Sequence, residues 1–196
     1  MKRETKTLLI LSGGRGARFG GDKGLSDFEG TPMIRRVFDA LEPMADSIVV
    51  AVAPGKSSEY RKALGDSALI MEDSEAHRGP LLGLSDALAC VSGDLLMLSA
   101  CDMPFMRGDF YRMLIGRLGK EDAVIPLIGG YYEPIMGVYR LPSLRKAVDI
   151  AVARGEMKLS AVLRYLDFIS ISEKEILEAG FDLEIMTNLN RPKMQK

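Results

Sequence analysis

Short apolar runs alternate with helix-forming segments along this chain, and this alternation constrains the fold more than any other feature. Each run is continuously apolar, which is typical of strands that are buried on both faces of a sheet. The runs are Thr7–Leu11, Ser47–Val52, Ala68–Met71, Leu95–Ser99 and Ala123–Pro126. Because strands separated by helices pair in parallel through right-handed crossovers, the pattern predicts an α/β fold with a mostly parallel sheet and helices on both faces.

The segments between the runs carry apolar residues at helical spacing. We expect the first helix to begin at Thr31, as the cap, with Pro32 in the first helical position. Further helices are predicted near Ser57–Leu64, from Pro80 to about Val91, over Gly108–Leu118 and over Pro142–Ala153. Two later strands are predicted, a longer one over Tyr131–Arg140 that is antiparallel to its neighbours and a short one over Phe168–Ile171.

No repeat, low-complexity tract or linker divides the 196 residues, which is an ordinary length for one domain. We therefore expect a single domain over residues 1–196, with its ligand crevice at the carboxyl ends of the strands. The tail beyond Asn190 is expected to be loosely held.

Charge and composition exclude several classes of protein. The chain has 26 basic and 27 acidic residues, and this balance argues against a broad surface for nucleic acid or membranes. No apolar stretch has transmembrane length, and the charged N-terminus does not resemble a signal peptide. Cys90 and Cys101 are not at metal spacing, so we expect reduced, partly buried thiols in a cytoplasmic protein. His77 is the single histidine, which excludes a metal site with several histidines, and it is predicted to lie on the surface.

The connection after the first strand is unusual in length and composition. It shows no regular pattern from Ser12 to Gly30, whereas connections from strand to helix usually take ~2–6 residues. Its sequence, LSGGRGARFGGDKGL, combines glycines with cations, which is typical of an anion site. Asp22 separates the glycines from Lys23, so it is not a Walker A loop, and Phe19 stands where a dinucleotide fingerprint needs glycine. The sequence predicts a phosphate or nucleotide loop of a third kind.

Two carboxylates follow predicted strands at the same edge. Asp102 comes directly after an apolar strand and needs a partner, because a buried unpaired charge is costly. A divalent cation would satisfy it, but so would a capping role in the turn before Pro104. Asp73 follows the third strand and can accept from a ribose hydroxyl, a base or a basic group of the loop. A solvated loop carboxylate is the alternative interpretation of Asp73.

Four segments together resemble the molybdenum cofactor guanylyltransferases. LSGGRGARFGGDKGL is similar to the signature L-A-G-G-x-S-x-R-x-G-x-x-K of that family, and MEDSEAHRGPLLGL, CDMPF and NLNRP follow in the same order and at similar spacing. The resemblance covers the whole chain. It implies a Rossmann-like nucleotidyltransferase domain that transfers GMP from GTP to the terminal phosphate of molybdopterin and releases pyrophosphate. Related enzymes that use CTP tend to carry L-A-A-G, so the pair Gly13-Gly14 favours GTP.

The resemblance also implies roles for the matching residues. Those that would bind the guanine nucleotide are Leu11, Ser12, Gly13, Gly14, Lys23, Asp73 and Asp102. Those that would act in catalysis are Arg18 and Lys23, on the phosphates, and Asp102, as the Mg²⁺ ligand. Those that would face the acceptor are Asn188, Asn190 and Glu133. The nucleotide would occupy an N-terminal half of about 1–105 and the acceptor a half of about 106–190. Proteins of molybdenum cofactor biosynthesis or delivery are implied as partners.

The chain departs from the family pattern at two places, and other functions stay open. Gly16 replaces a serine of the signature, and Ala51–Ala53 replaces an asparagine that often ends the second strand. One alternative is a cytidylyltransferase or sugar-phosphate nucleotidyltransferase of the same fold. Another is a nucleotide-binding protein without turnover, although Lys23 and Asp102 together argue for catalysis. A dehydrogenase is disfavoured, because the second strand ends without an acidic residue.

Overall fold

The predicted alternation of strands and helices is present in a computed structural model of the chain, which describes residues 3–13, 22–75 and 79–189. The strands are β1 (Lys6–Ser12), β2 (Asp27–Phe28), β3 (Thr31–Pro32), β4 (Ser47–Val52), β5 (Leu69–Glu72), β6 (Leu95–Ala100), β7 (Ala123–Ile128), β8 (Tyr131–Tyr132), β9 (Val138–Arg140) and β10 (Phe168–Ser172). The α-helices are α1 (Met33–Leu41), α2 (Ser57–Leu64), α3 (Pro80–Leu88), α4 (Gly108–Arg117), α5 (Leu141–Ala153) and α6 (Glu173–Glu178).

The main sheet has the order β10-β7-β9-β6-β1-β4-β5, and β8 pairs with β7 at its end. Strands β6, β1, β4 and β5 are parallel, and the register places Leu9 between Val49 and Leu98. β9 runs antiparallel to both β6 and β7. From β1 the chain continues to β4 on one side and later returns to β6 on the other. In sheets of this kind, ligands bind at such a reversal, beyond the carboxyl ends of the strands.

Helices cover both faces of the sheet, as the continuously apolar strands predict. Leu8 and Ile10 of β1 contribute to a core with α1, α2 and α4, whereas Leu9 contributes to a second core with α3 and α5. The side chains of Leu8, Leu9 and Ile10 are all fully buried. Successive strand residues point to opposite faces, so a strand that serves two cores must be apolar at every position.

The start of the first helix differs from the prediction. Thr31 and Pro32 form β3, which pairs with β2 in a short antiparallel hairpin, and α1 begins at Met33. Pro32 is extended, with ψ 136°, and no side chain caps the helix. The hairpin turn at Glu29 and Gly30 has positive φ at both positions, which suits the twist of a two-strand ribbon. Thr31 and Pro32, which the capping pattern predicts at the start of the helix, therefore belong to the hairpin.

The strand predicted over residues 131–140 is interrupted. A 3₁₀ turn over Pro134–Met136 separates β8 from β9, because proline cannot donate to a strand ladder. The antiparallel direction is confirmed for both pieces. Other differences are smaller: α3 ends at Leu88, although Val91 is still buried, and β5 is shifted to Leu69–Glu72.

The two cysteines are free thiols, as expected, but they differ in burial. Cys101 is buried at the end of β6, whereas Cys90 is exposed after α3, so the prediction of partial burial is wrong for Cys90. The predictions for His77 and for the tail beyond Asn190 lie outside the described residues. In the described ranges, no helix combines the length and the apolar character that a membrane span requires.

Candidate functional site

A cleft of about 500 Å³ opens where β1, β4, β5 and β6 end. The parallel pairing of these strands brings their carboxyl ends to one edge of the sheet. Residues from widely separated parts of the chain line the cleft: Leu11, Ser12, Gly13, Lys23, Ala51, Asp73, Gly79, Pro80, Gly83, Ala100, Cys101, Asp102, Ile135 and Asn188. The volume suits a small-molecule ligand.

An ion pair lies at one side of the cleft. Lys23 Nζ donates to Asp102 Oδ2, and the side chains are only 16% and 10% exposed. Lys23 Nζ also donates to Asn188 Oδ1 at 3.1 Å. The backbone holds these groups together, because Leu189 N donates to Asp102 O at 3.0 Å. Three predicted site residues that are far apart in sequence therefore form one cluster.

The other carboxylate oxygen of Asp102 is suited to a cation. Asp102 Oδ1 is buried and has no hydrogen-bond partner within residues 3–13, 22–75 and 79–189. Those same ranges contain no cluster of three or more acidic, histidine or cysteine side chains that could hold a metal. Mg²⁺ needs no such cluster, since it is often bound by one or two carboxylates together with substrate phosphates and water. The arrangement at Asp102 fits a Mg²⁺ ion that arrives with a phosphate ligand.

Asp73 lies across the cleft, where β5 ends. Its backbone N–H donates to Val52 O at 2.8 Å, which extends the pairing between β4 and β5 by one residue. Asp73 also packs against Gly13 so closely that a Cβ on Gly13 would collide with Asp73 Oδ2. The carboxylate, the end of β1 and the start of α3 therefore form one continuous wall of the cleft.

Cys101 lines the cleft but is not suited to nucleophilic catalysis. Burial, followed by the negative charge of Asp102, raises the pKa of its thiol to about 12. A thiol with such a pKa stays protonated near neutral pH, and the thiolate is the reactive form. The backbone N–H of Cys101 donates to Leu11 O at 3.1 Å, so this residue ties the end of β6 to the end of β1.

The remaining predicted site residues divide into two groups. Gly14, Arg18 and Asn190 lie outside the described residues. Glu133 is half-buried at the start of the 3₁₀ turn, and burial raises the pKa of its carboxyl. It is not among the residues that line the cleft, whereas Ile135 of the same turn is.

A comparison with known protein families decides the class of this fold. The sequence profile of the MobA-like NTP transferase domain matches residues 8–169, which include the strands around the cleft and most of its lining. The chain belongs to this family. As a MobA-like NTP transferase, it is a nucleotidyltransferase.

Individual relatives agree with the family assignment. The chain is 31% identical to a molybdenum cofactor guanylyltransferase from Desulfosudis oleivorans, over 94% of this chain and 89% of the relative. It is 30% identical to a probable molybdenum cofactor guanylyltransferase from Natronomonas pharaonis, over 89% and 88% of the two chains. The crystal structure of molybdopterin-guanine dinucleotide biosynthesis protein A from Archaeoglobus fulgidus has the same fold, with a TM-score of 0.77, 24% identity and coverage of 95% and 93%.

Sequence reasoning missed one group at the site of this MobA-like transferase. Tyr60 of α2 is fully buried, and its hydroxyl contacts both Ser12 and Asp22, at the two ends of the glycine-rich loop. A signal was present, because Tyr60 and Leu64 share the apolar face of α2 and a buried tyrosine hydroxyl needs a partner. The partner itself could not be found from helical spacing.

Proposed function

We propose that this protein transfers GMP from GTP to the terminal phosphate of molybdopterin. An acceptor phosphate oxygen attacks the α-phosphorus, the bond between the α-phosphorus and the bridging oxygen breaks, and its electrons leave with pyrophosphate. The observation that carries the proposal is the cluster of Lys23, Asp102 and Asn188, with its largely buried ion pair, beside a cleft of nucleotide size in a MobA-like fold. The phosphate nucleophile is already ionised near neutral pH, so the protein needs no general base.

Each side of the cleft would hold a different part of GTP. Lys23, with Arg18, would contact the phosphates and stabilise the charge that develops on the leaving pyrophosphate. Asp102 would hold Mg²⁺, which when bound neutralises phosphate charge and orients the reacting groups. Asp73 would accept from the nucleoside. Backbone groups of residues 11–14 would approach the base, because glycine leaves them accessible.

Recognition of the base differs from the family pattern at β4. Ala51 lines the cleft with a methyl group, and Val52 is fully buried. The asparagine that often ends this strand in the family therefore has no polar substitute here. We propose that guanine is distinguished by backbone groups at the end of β1 and by the Asp73 carboxylate, which complements the donor N–H groups of guanine.

The acceptor is proposed to approach from the C-terminal half. Asn188 reaches the phosphate side of the cleft through its contact with Lys23, and Asn190 and Glu133 stay proposed acceptor residues. In this arrangement one domain carries nucleotide groups from about 1–105 and acceptor groups from about 106–190. Proteins that supply or accept the cofactor would dock near the same side.

A turnover assay tests the proposed function. Purified protein with Mg²⁺ and molybdopterin should release pyrophosphate with GTP at a specificity constant at least about tenfold above those for CTP, ATP and UTP, because unpaired polar groups disfavour the wrong base. Omission of Mg²⁺ should abolish the release. A preference for CTP would contradict guanylyl transfer, and turnover with a sugar phosphate in place of molybdopterin would contradict the proposed acceptor.

Replacing Gly13 with alanine should weaken GTP binding by about tenfold without unfolding the protein. The added methyl collides with Asp73 Oδ2, so the carboxylate must move away from the nucleoside, and a lost buried hydrogen bond has about this effect. Calorimetric titration with GTP measures the change. Gly116→Ala is the matched control, since the same methyl on α4 meets open space. Equal GTP affinity in the Gly13 variant and wild type would show that Asp73 does not contact the nucleoside.

A further inference from the structure

The tyrosine on α2 connects two parts of the chain that flank the glycine-rich loop. Tyr60 is fully buried, and its hydroxyl donates to Asp22 Oδ1 at 2.6 Å. The same hydroxyl shares a hydrogen bond with Ser12 Oγ at the end of β1. Burial raises the pKa of the Tyr60 hydroxyl well above its ordinary range, so it stays protonated and can donate. One hydroxyl group therefore holds the residues on both sides of segment 13–21.

Asp22, which Tyr60 contacts, also forms hydrogen bonds with a backbone amide and a side chain close to Lys23. Its Oδ1 atom also accepts from Gly24 N at 3.0 Å, and its backbone carbonyl accepts from Ser26 Oγ at 3.0 Å. Lys23 therefore lies between Asp22, which Tyr60 contacts, and Gly24, whose N–H donates to Asp22. The backbone that carries the ammonium group to Asp102 is thus fixed on both sides.

The packing around these bonds is close. A Cβ at Gly24 would overlap the Tyr60 hydroxyl and Ser12 Oγ, so a side chain at this position would force these groups to move. Gly24 O accepts from Ile34 N at 2.9 Å, which joins the same backbone to the first turn of α1. The loop end is held between two helices, and Tyr60 supplies the polar contact from the second.

We propose that the Tyr60 hydroxyl is a positioning group that fixes Ser12 and the backbone of residues 22–24, which carries Lys23, before the nucleotide binds. The inference rests on the proposed function, since it assumes that Lys23 binds GTP phosphates. A site that is already ordered binds its ligand more tightly than one that must be ordered by the ligand, because affinity falls with the fraction of binding-competent protein. Tyr60 acts through Asp22 and Ser12 and does not reach the cleft itself.

The effect should appear in nucleotide affinity rather than in the chemical step. Tyr60→Phe removes one oxygen atom and keeps the ring that packs in the core. Once GTP is bound, the contact between Lys23 and the phosphates holds the Lys23 backbone in place whether or not the hydroxyl is present. We therefore expect the Kd and the KM for GTP to rise about tenfold, with kcat within about twofold of wild type. A higher KM with nearly normal kcat distinguishes the role of Tyr60 from that of Lys23, because loss of the Lys23 side chain should lower kcat.

Tyr111→Phe provides the matched control. Tyr111 of α4 is also fully buried, and its hydroxyl donates to Leu98 O of β6, away from the loop. Both variants lose one buried hydroxyl, which makes two hydrogen bonds at Tyr60 and one to Leu98 O at Tyr111, so both should lose some thermal stability. A structural role alone predicts that the two variants behave alike toward GTP. The proposal predicts that Tyr60→Phe alone weakens GTP binding.

Variants of Asp22 test the same contact by changing its acceptor. They also replace the Tyr60 variant in the experiment if Tyr60→Phe does not fold. Asp22→Ala removes the acceptor and should raise the Kd for GTP about as much as Tyr60→Phe. Asp22→Asn keeps an acceptor oxygen and should restore most of the affinity. The double variant of Tyr60→Phe with Asp22→Ala should raise the Kd by less than the product of the two single effects, because the two residues share the contact between them.

Hydrogen exchange in the nucleotide-free protein provides a readout that does not depend on GTP. The peptide that contains the Gly24 amide should exchange about tenfold faster in Tyr60→Phe than in wild type or Tyr111→Phe. Unchanged exchange and unchanged Kd in Tyr60→Phe would overturn the inference and leave the proposed function standing. If wild-type protein did not bind GTP, the proposed function would fail, and the exchange result would still decide whether Tyr60 orders this backbone.

Discussion

Replacing Asp102 with asparagine should lower turnover by about a hundredfold, which is the scale of losing one preorganised electrostatic contact to the transition state. Asparagine has nearly the same shape, and the contact from Leu189 N to Asp102 O is made by the backbone, so the fold should persist. The substitution removes the charge that holds Lys23 and weakens the buried Oδ1 as a ligand for Mg²⁺. Both changes lie next to the phosphates in the proposed reaction.

The dependence on Mg²⁺ separates these two effects. Turnover at saturating GTP is measured across a range of Mg²⁺ concentrations, and the variant should need more Mg²⁺ to reach its lower maximum. Asp39→Asn is the control, because Asp39 pairs with Arg35 on the exposed side of α1. A lower rate with an unchanged Mg²⁺ dependence would show that Asp102 acts only through Lys23. Normal turnover would contradict both roles.

Replacing Lys23 with alanine should lower kcat by about a hundredfold even at saturating GTP. The leaving pyrophosphate carries more charge in the transition state than the same phosphates carry in bound GTP, so a cation beside it is more favourable during the reaction. Partial burial strengthens the interaction, because the Lys23 side chain is only 16% exposed and its charge is weakly screened by water. KM should rise as well, since the same contact exists in the ground state.

Steady-state kinetics with GTP as the varied substrate checks this prediction. Lys174→Ala removes a lysine of α6 that is 83% exposed, and it should leave both kinetic constants unchanged. Lys23→Arg should recover part of the rate, because the charge remains while the geometry changes. An increase in KM with normal kcat would mean that Lys23 binds GTP equally in both states and has no part in catalysis.

Local patterns in the sequence were sufficient for the elements and for the edge at which the site forms. The predicted range Ser57–Leu64 is α2 as observed, and the predicted strand over Ser47–Val52 is β4. Such agreement follows from local physics, since helix and strand periodicity depend on neighbouring residues alone. The position of Asp102 after an apolar strand, together with the parallel pairing, is also sufficient to predict that it lies at the crevice.

The tertiary structure alone decided the contacts that complete the site. Lys23 meets Asp102 and Asn188, which are 79 and 165 residues away in sequence, and no local pattern encodes such distances. The contacts of Tyr60 also depend on the tertiary structure, because helical spacing predicts that the side chain is buried but not which residues its hydroxyl contacts. The periodicity of a helix or strand indicates only which face of that element is buried. The partner on that face depends on strand order and on packing between elements, which arise only when the whole chain folds.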